Sequence, residues 1–147
     1  MKSVFVDTNV LIYPLQTDDP AKAAIATAWI ERLAAREAIV VSPQVINEFV
    51  SVLTRRYSFL PLPDVLDKAR DYAEFCRARL DAETTRAAMD LLMLHRFSWW
   101  DSVMLASALD FGCEIVLTED LQNGRSIDGM LIVDPFTADI DTVLRDF

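Results

Sequence analysis

The feature that most constrains this chain is the run Val4-Phe5-Val6, set between Ser3 and Asp7. A short apolar run rich in β-branched residues and bounded by polar ones is the pattern of a strand buried on both faces, as in parallel sheets. Asp7 then falls at that strand's carboxyl end, followed by Thr8-Asn9-Val10-Leu11. In open α/β sheets ligands bind in the crevice outside the carboxyl ends of the strands, so an acid there stands where chemistry is usually done.

Three more runs repeat the pattern: Ala38-Ile39-Val40-Val41, Glu114-Ile115-Val116-Leu117 and Leu131-Ile132-Val133. Helical segments separate them. Thr8 to Leu15 reads as a short helix or turn. Pro20 to Arg36 follows, with Asp18 or Asp19 as cap and Ala24, Ala28 and Leu33 or Trp29 facing inward. Pro43 to about Arg56 starts from a Ser42-Pro43 cap and buries Val45, Phe49, Val52 and Leu53. Pro63 to Phe75 comes next, with an extended piece ending at Leu80. A helix capped by Asp81 runs through Leu94, and another from Ser98 or Asp101 to Gly112 carries Asp101, Met104, Leu105, Ala108 and Leu109 on one side. A short helix around Ile140 to Leu144 closes the chain. Strands alternating with helices imply an α/β fold with a mostly parallel central sheet covered by helices, in one domain over residues 1–147.

Composition narrows the function. No apolar run reaches the roughly 18 residues of a membrane span, and Asp7 interrupts the apolar start that a signal peptide needs, so a cytoplasmic protein with no membrane role is expected. Cys76 and Cys113 have no metal-ligand spacing and read as buried thiols. His95 is the sole histidine, which excludes a histidine metal cluster. The net charge of -9 argues against a protein that grips nucleic acid through many phosphate contacts, and favours a local or metal-bridged contact and a basic protein partner.

Four acids fall where the loops of such a sheet meet: Asp7, Glu48, Asp101 and Asp120. Two carboxylates about 4 Å apart repel by roughly 4 kcal/mol at an effective dielectric near 20. Several such pairs rival the roughly 5 to 15 kcal/mol that holds a domain together. A convergent cluster therefore needs protons or a cation, and oxygen donors alone suit Mg²⁺ or Mn²⁺. Singly, each acid also fits a bland role. Asp7 and Asp120 suit turns or caps, Asp101 a capping pair with Ser98, and Glu48 the solvated edge of a helix.

In order and spacing, these residues resemble the PIN-domain family, and within it the VapC-like toxins of toxin–antitoxin pairs. The resemblance runs from Val6-Asp7-Thr8-Asn9-Val10-Leu11 through Ser42-Pro43-Gln44-Val45-Ile46-Asn47-Glu48-Phe49 and Phe97-Ser98-Trp99-Trp100-Asp101. It continues to Leu117-Thr118-Glu119-Asp120-Leu121-Gln122-Asn123-Gly124 and Ile132-Val133-Asp134-Pro135-Phe136. It implies a three-layer α/β/α fold and a metal-dependent endoribonuclease. Asp7, Glu48, Asp101 and Asp120 would be the catalytic and metal-holding quartet, supported by Thr8, Asn9 and Thr118. It further implies Mg²⁺ or Mn²⁺ as cofactor, RNA as substrate, a homodimer, and a cognate antitoxin that inserts a basic residue among the acids. Glu119 competes with Asp120 for the fourth place, which motif alignment gives to Asp120. Arg55 and Arg56 are candidate phosphate contacts or plain solvated surface.

Other classes fit less well. A haloacid-dehalogenase-like phosphatase wants a second Asp where Asn9 stands. Such phosphatases and phospho-receiver domains also need a late lysine, whereas Lys2, Lys22 and Lys68 all lie in the first half. An RNA-processing nuclease without an antitoxin and an inactive PIN-like binding domain remain as alternatives.

Overall fold

The computed structural model describes residues 2–147. Among them are β1 (Val4–Val6), α1 (Thr8–Ile12), α2 (Pro20–Ala34), β2 (Ile39–Val40), α3 (Pro43–Arg56), α4 (Leu62–Ala73) and α5 (Ala82–His95). They continue with α6 (Trp99–Phe111), β3 (Ile115–Leu117), β4 (Ser126–Ile127), β5 (Met130–Val133) and α7 (Ile140–Val143). The sheet has five strands in the order β2-β1-β3-β5-β4. β1 pairs with β3 and β3 with β5 in parallel, while β4 returns antiparallel to β5. The mostly parallel α/β class read from the sequence is the one found.

The chain divides into two compact units, one ending at Ile39 and resuming at Cys113, the other Val40–Gly112. In the first, β1 and β3 are buried throughout, Val4, Phe5, Val6, Val116 and Leu117 being fully enclosed. That burial explains why the runs are continuously apolar instead of alternating. The register Val6 with Leu117 and Leu117 with Val133 brings three strand ends level. α2 enters the core through Ala26, Trp29 and Leu33, and the Trp29 indole N–H donates to the Pro135 carbonyl at 3.0 Å. Ala24 and Ala28, expected inward, are exposed. Alanine carries little directional signal, so the bulky Trp29 and Leu33 decide which face turns in.

A fifth strand adds to the four expected. Asp128 (φ 47°) and Gly129 (φ 88°) both take left-handed backbone between β4 and β5. Asp-Gly is the pair that such a two-residue hairpin turn selects, so this signal was present in the sequence.

The second unit is helical. Ser42 takes the N-cap place of α3 ahead of Pro43, but its hydroxyl makes no cap bond and is buried without a partner among the described residues. α3 buries Val45, Phe49 and Leu53 as expected, while Val52 is only half-buried. Phe49 meets Tyr72 of α4 edge to face at 5.2 Å. The extended piece after α4 pairs with Val41: Val41 N–H donates to the Phe75 carbonyl and Ala78 N–H to that of Val41. Asp81 caps α5 in a reciprocal box with Thr84, and Gly112 ends α6 in left-handed conformation. α6 departs from the one-sided expectation, since every residue from Ser102 to Ala108 is buried. Small residues at 102, 106, 107 and 108 let neighbours approach it all round.

Cys113 is buried, and partial burial pushes the half-exposed Cys76 thiol up. No helix among the described residues is long and apolar enough to cross a membrane.

Burial, with Asp71 nearby, pushes the Tyr72 hydroxyl up to about 12. The folded state thus holds the proton more tightly than the unfolded chain. Stability from this group is complete below the free-tyrosine value near 10 and is lost as pH rises through about 12. Urea unfolding between pH 9 and 12 checks this: Tyr72→Phe should lose stability less steeply with pH than the unaltered protein.

Candidate active site

Asp7 leaves β1 and caps α1. Its Oδ1 accepts the Thr8 N–H at 2.7 Å and its Oδ2 the Thr118 hydroxyl at 2.7 Å. The backbone keeps strand pairing to the same point, with Asp7 N–H on the Leu117 carbonyl and Thr118 N–H on that of Val133. Thr118 is fully buried and Asp7 only 8% exposed, so this pair is shielded from bulk water. The Thr118 hydroxyl oxygen in turn accepts the Asp120 N–H at 3.2 Å, and the Asn9 amide donates to Asp120 Oδ2 at 3.3 Å. Asp7, Thr8, Asn9, Thr118 and Asp120 are therefore joined in one hydrogen-bonded group at the ends of two adjacent parallel strands. The cap reading of Asp7 is correct but incomplete, because its second oxygen is held from a strand more than a hundred residues away.

Glu119 goes elsewhere. Its carboxylate accepts from the Tyr13 hydroxyl and from Lys22 Nζ, the latter at 2.8 Å. Lys22 also lies over the rings of Tyr13 and Phe136, with 5.0 and 4.7 Å to the centroids. The Glu119 hydrogen bond raises the Lys22 ammonium above its ordinary range, and burial followed by the Glu119 bond raises the Tyr13 hydroxyl. Of the two neighbouring acids, Asp120 stays with Asp7's group and Glu119 is neutralised by a lysine.

The other two candidate acids belong to the second unit. Glu48 is half-buried on α3, and its Oε1 accepts from Gln44 Nε2 at 2.9 Å. The same Gln44 nitrogen donates to the Trp100 carbonyl at 3.1 Å. Asp101 is half-buried in the first turn of α6, where its backbone N–H donates to the Ser98 hydroxyl at 3.1 Å. Arg55 and Arg56 are exposed in the last turn of α3.

Sequence reading did not give Gln44, Lys22 or Tyr13 a part in these contacts. The spacing of Gln44 four residues before Glu48 was a usable signal, since such pairs share a helix face. Nothing local marks Lys22, which meets Glu119 across 97 positions.

Among the described residues, no three histidine, cysteine, aspartate or glutamate side chains form a ready-made cation cage. The donor set of the first unit is two carboxylates with hydroxyl and amide support. Those oxygens suit a hard cation that keeps several waters and takes only one or two protein carboxylates, which is how Mg²⁺ is usually held.

Acids at the ends of parallel strands, in an α/β chain whose mixed sheet carries one antiparallel edge, stand where α/β proteins usually place a ligand site. The PIN domain profile matches residues 4–124, and the chain belongs to the PIN-domain family. No curated protein matches it by sequence. Among solved structures, it is similar to a toxin–antitoxin complex from Klebsiella pneumoniae, at TM-score 0.63 and 17% identity, over 90% of this chain and 98% of that one. It is also similar to VapC20 of Mycobacterium tuberculosis, described as a sarcin-ricin loop cleaving toxin, at TM-score 0.57 and 21% identity, over 78% and 87%. A third is VapBC2 of Rickettsia felis bound to a promoter DNA fragment, at TM-score 0.61 and 14% identity, over 88% and 96%. At these identities the likeness is one of fold.

Removing the Thr118 hydroxyl takes one donor away from a buried Asp7 oxygen, a loss worth about 1–3 kcal/mol. Thr118→Val should lower unfolding free energy by that order in urea titration, and Thr118→Ser by clearly less.

Proposed function

We propose that this chain is a divalent-cation-dependent endoribonuclease of the VapC type, the toxin of a toxin–antitoxin pair. In this reading Asp7, Glu48, Asp101 and Asp120 are its catalytic acids. The observation that carries it is the hydrogen-bonded line from the Asp7 carboxylate through the Thr118 hydroxyl to the Asp120 backbone, which brings two acidic residues to neighbouring strand ends in a chain of the PIN family. Acids gathered at one edge of a sheet repel one another less when a cation lies between them.

Bound Mg²⁺ or Mn²⁺ would supply an acidified water and stabilise the oxygen leaving the phosphorus. Asp7 and Asp120 would hold the cation, with Asp101 as a further ligand. Thr8 N–H and the Thr118 hydroxyl keep both Asp7 oxygens aimed, and Asn9 steadies Asp120, so that little reorganisation is needed on loading. Glu48 completes the acid set or orients the attacking water. Glu119, already paired with Lys22, takes no part.

RNA as substrate is supported by the likeness to a toxin that cleaves the sarcin-ricin loop, and an antitoxin by the likeness to toxin–antitoxin complexes. The charge of -9 suits a basic partner and leaves RNA contact to the cation and a few local residues such as Arg55 and Arg56. A homodimer acting in the cytoplasm completes the proposal.

Purified protein incubated with total cellular RNA in Mg²⁺, Mn²⁺ or EDTA tests it. Discrete fragments should appear with either metal and vanish in EDTA. Asp7→Asn and Asp120→Asn should each lose more than about 100-fold in rate, whereas Glu119→Gln should stay within about tenfold. Equal cleavage by Asp7→Asn and the unaltered protein under every condition would overturn the assignment.

A further inference from the structure

Gln44 is 93% enclosed by the complement of its 7% exposure, and its amide nitrogen uses both protons on acceptors: Glu48 Oε1 at 2.9 Å and the Trp100 carbonyl at 3.1 Å. Because both partners are acceptors, only the NH₂ end of the amide can face them. The oxygen end is then left buried with no hydrogen-bond partner among the described residues. An orphaned buried acceptor costs stability, and an apolar side chain of similar size would avoid that cost. Nor does the Trp100 carbonyl need the bond for its own sake. It lies in the first turn of α6, where the helix itself supplies an N–H from four residues on. The amide therefore makes two contacts whose common result is positional. One fixes the Glu48 carboxylate, and the other fixes the peptide immediately before Asp101.

We propose that Gln44 is a positioning residue of the acidic site, clamping Glu48 of α3 to the start of α6 so that the Glu48 and Asp101 carboxylates keep a set separation. This rests on the nuclease reading above and deepens it. A side chain with three rotatable bonds, such as Glu48, wanders unless a neighbour holds it, and a carboxylate held in place loses less freedom when a cation or an attacking water engages it. The clamp also explains the spacing of Gln44 and Glu48: four residues apart on a helix is the separation at which a glutamine amide reaches a carboxylate.

The test combines Mn²⁺ titration calorimetry, RNA cleavage and thermal unfolding on the full chain. The variants are Gln44→Met, Gln44→Asn, Glu48→Gln and the Gln44→Met/Glu48→Gln pair. Gln44→Met should remain folded yet weaken Mn²⁺ binding by about 10- to 100-fold, with a matching rise in the Mn²⁺ needed for half-maximal cleavage. Once Glu48→Gln has removed the charge being positioned, adding Gln44→Met should change Mn²⁺ binding less than about twofold, because coupled residues are not additive. Gln44→Asn, too short to reach both acceptors, should behave like Gln44→Met and covers the case in which Met does not fold. A merely structural role would lower the unfolding temperature equally in both backgrounds and leave Mn²⁺ affinity alone; that result overturns the proposal. If the unaltered protein neither binds Mn²⁺ nor cleaves RNA, the nuclease reading itself fails and the clamp falls with it. If the unaltered protein does both and the Gln44 variants match it, the clamp alone is wrong.

Discussion

The hydrogen bond from Thr118 to Asp7 is the interaction on which the arrangement of the first unit's acids depends. It joins the end of β1 to the end of β3 across 111 positions, and it does so where the parallel register has already brought Val6 level with Leu117. A carboxylate this enclosed is tolerable only with donors at hand. Thr8 N–H and the Thr118 hydroxyl supply one to each oxygen, and Asp120 follows because its own N–H rests on that same hydroxyl. Strand pairing thus sets the threonine, the threonine sets Asp7, and the two together set Asp120.

Adjacent acids in a sequence need not share a fate. Glu119 and Asp120 are neighbours, yet one is closed off by Lys22 and Tyr13 and the other stays with Asn9 and Thr118. The Lys22 ammonium, packed over two aromatic rings, gives the Glu119 charge a local answer and removes it from the acid group. This sorting lowers the charge density that any cation at Asp7 and Asp120 would have to offset.

In the second unit the same economy of contacts recurs. α6 is enclosed through most of its length, so the peptide before Asp101 sits on a rigid element. Gln44 reaches that peptide and Glu48 with one nitrogen. Side chains on packed helices and strand ends hold their geometry better than side chains on mobile loops, which is where a site that must aim several carboxylates benefits most.

The sequence by itself determined the strand-and-helix alternation, because parallel strands buried on both faces are written as uninterrupted apolar runs such as Val4-Phe5-Val6 and Ile115-Val116-Leu117. It also marked helix starts at Pro43 and Asp81 and a helix stop at Gly112, where backbone geometry restricts the residue types allowed. It singled out Asp7, Glu48, Asp101 and Asp120 as candidate acids, since their order and flanking residues resemble the pattern of the PIN family. Its misreadings were local and physical. An alanine-rich helix does not announce its inward face, and a buried helix such as α6 shows no polar side to orient it. Tertiary structure alone decided the partners: Thr118 for Asp7, Lys22 for Glu119 and Gln44 for the Trp100 carbonyl. Each of these contacts joins residues more than fifty positions apart, and only the folded register of strands and helices brings such residues within hydrogen-bonding distance.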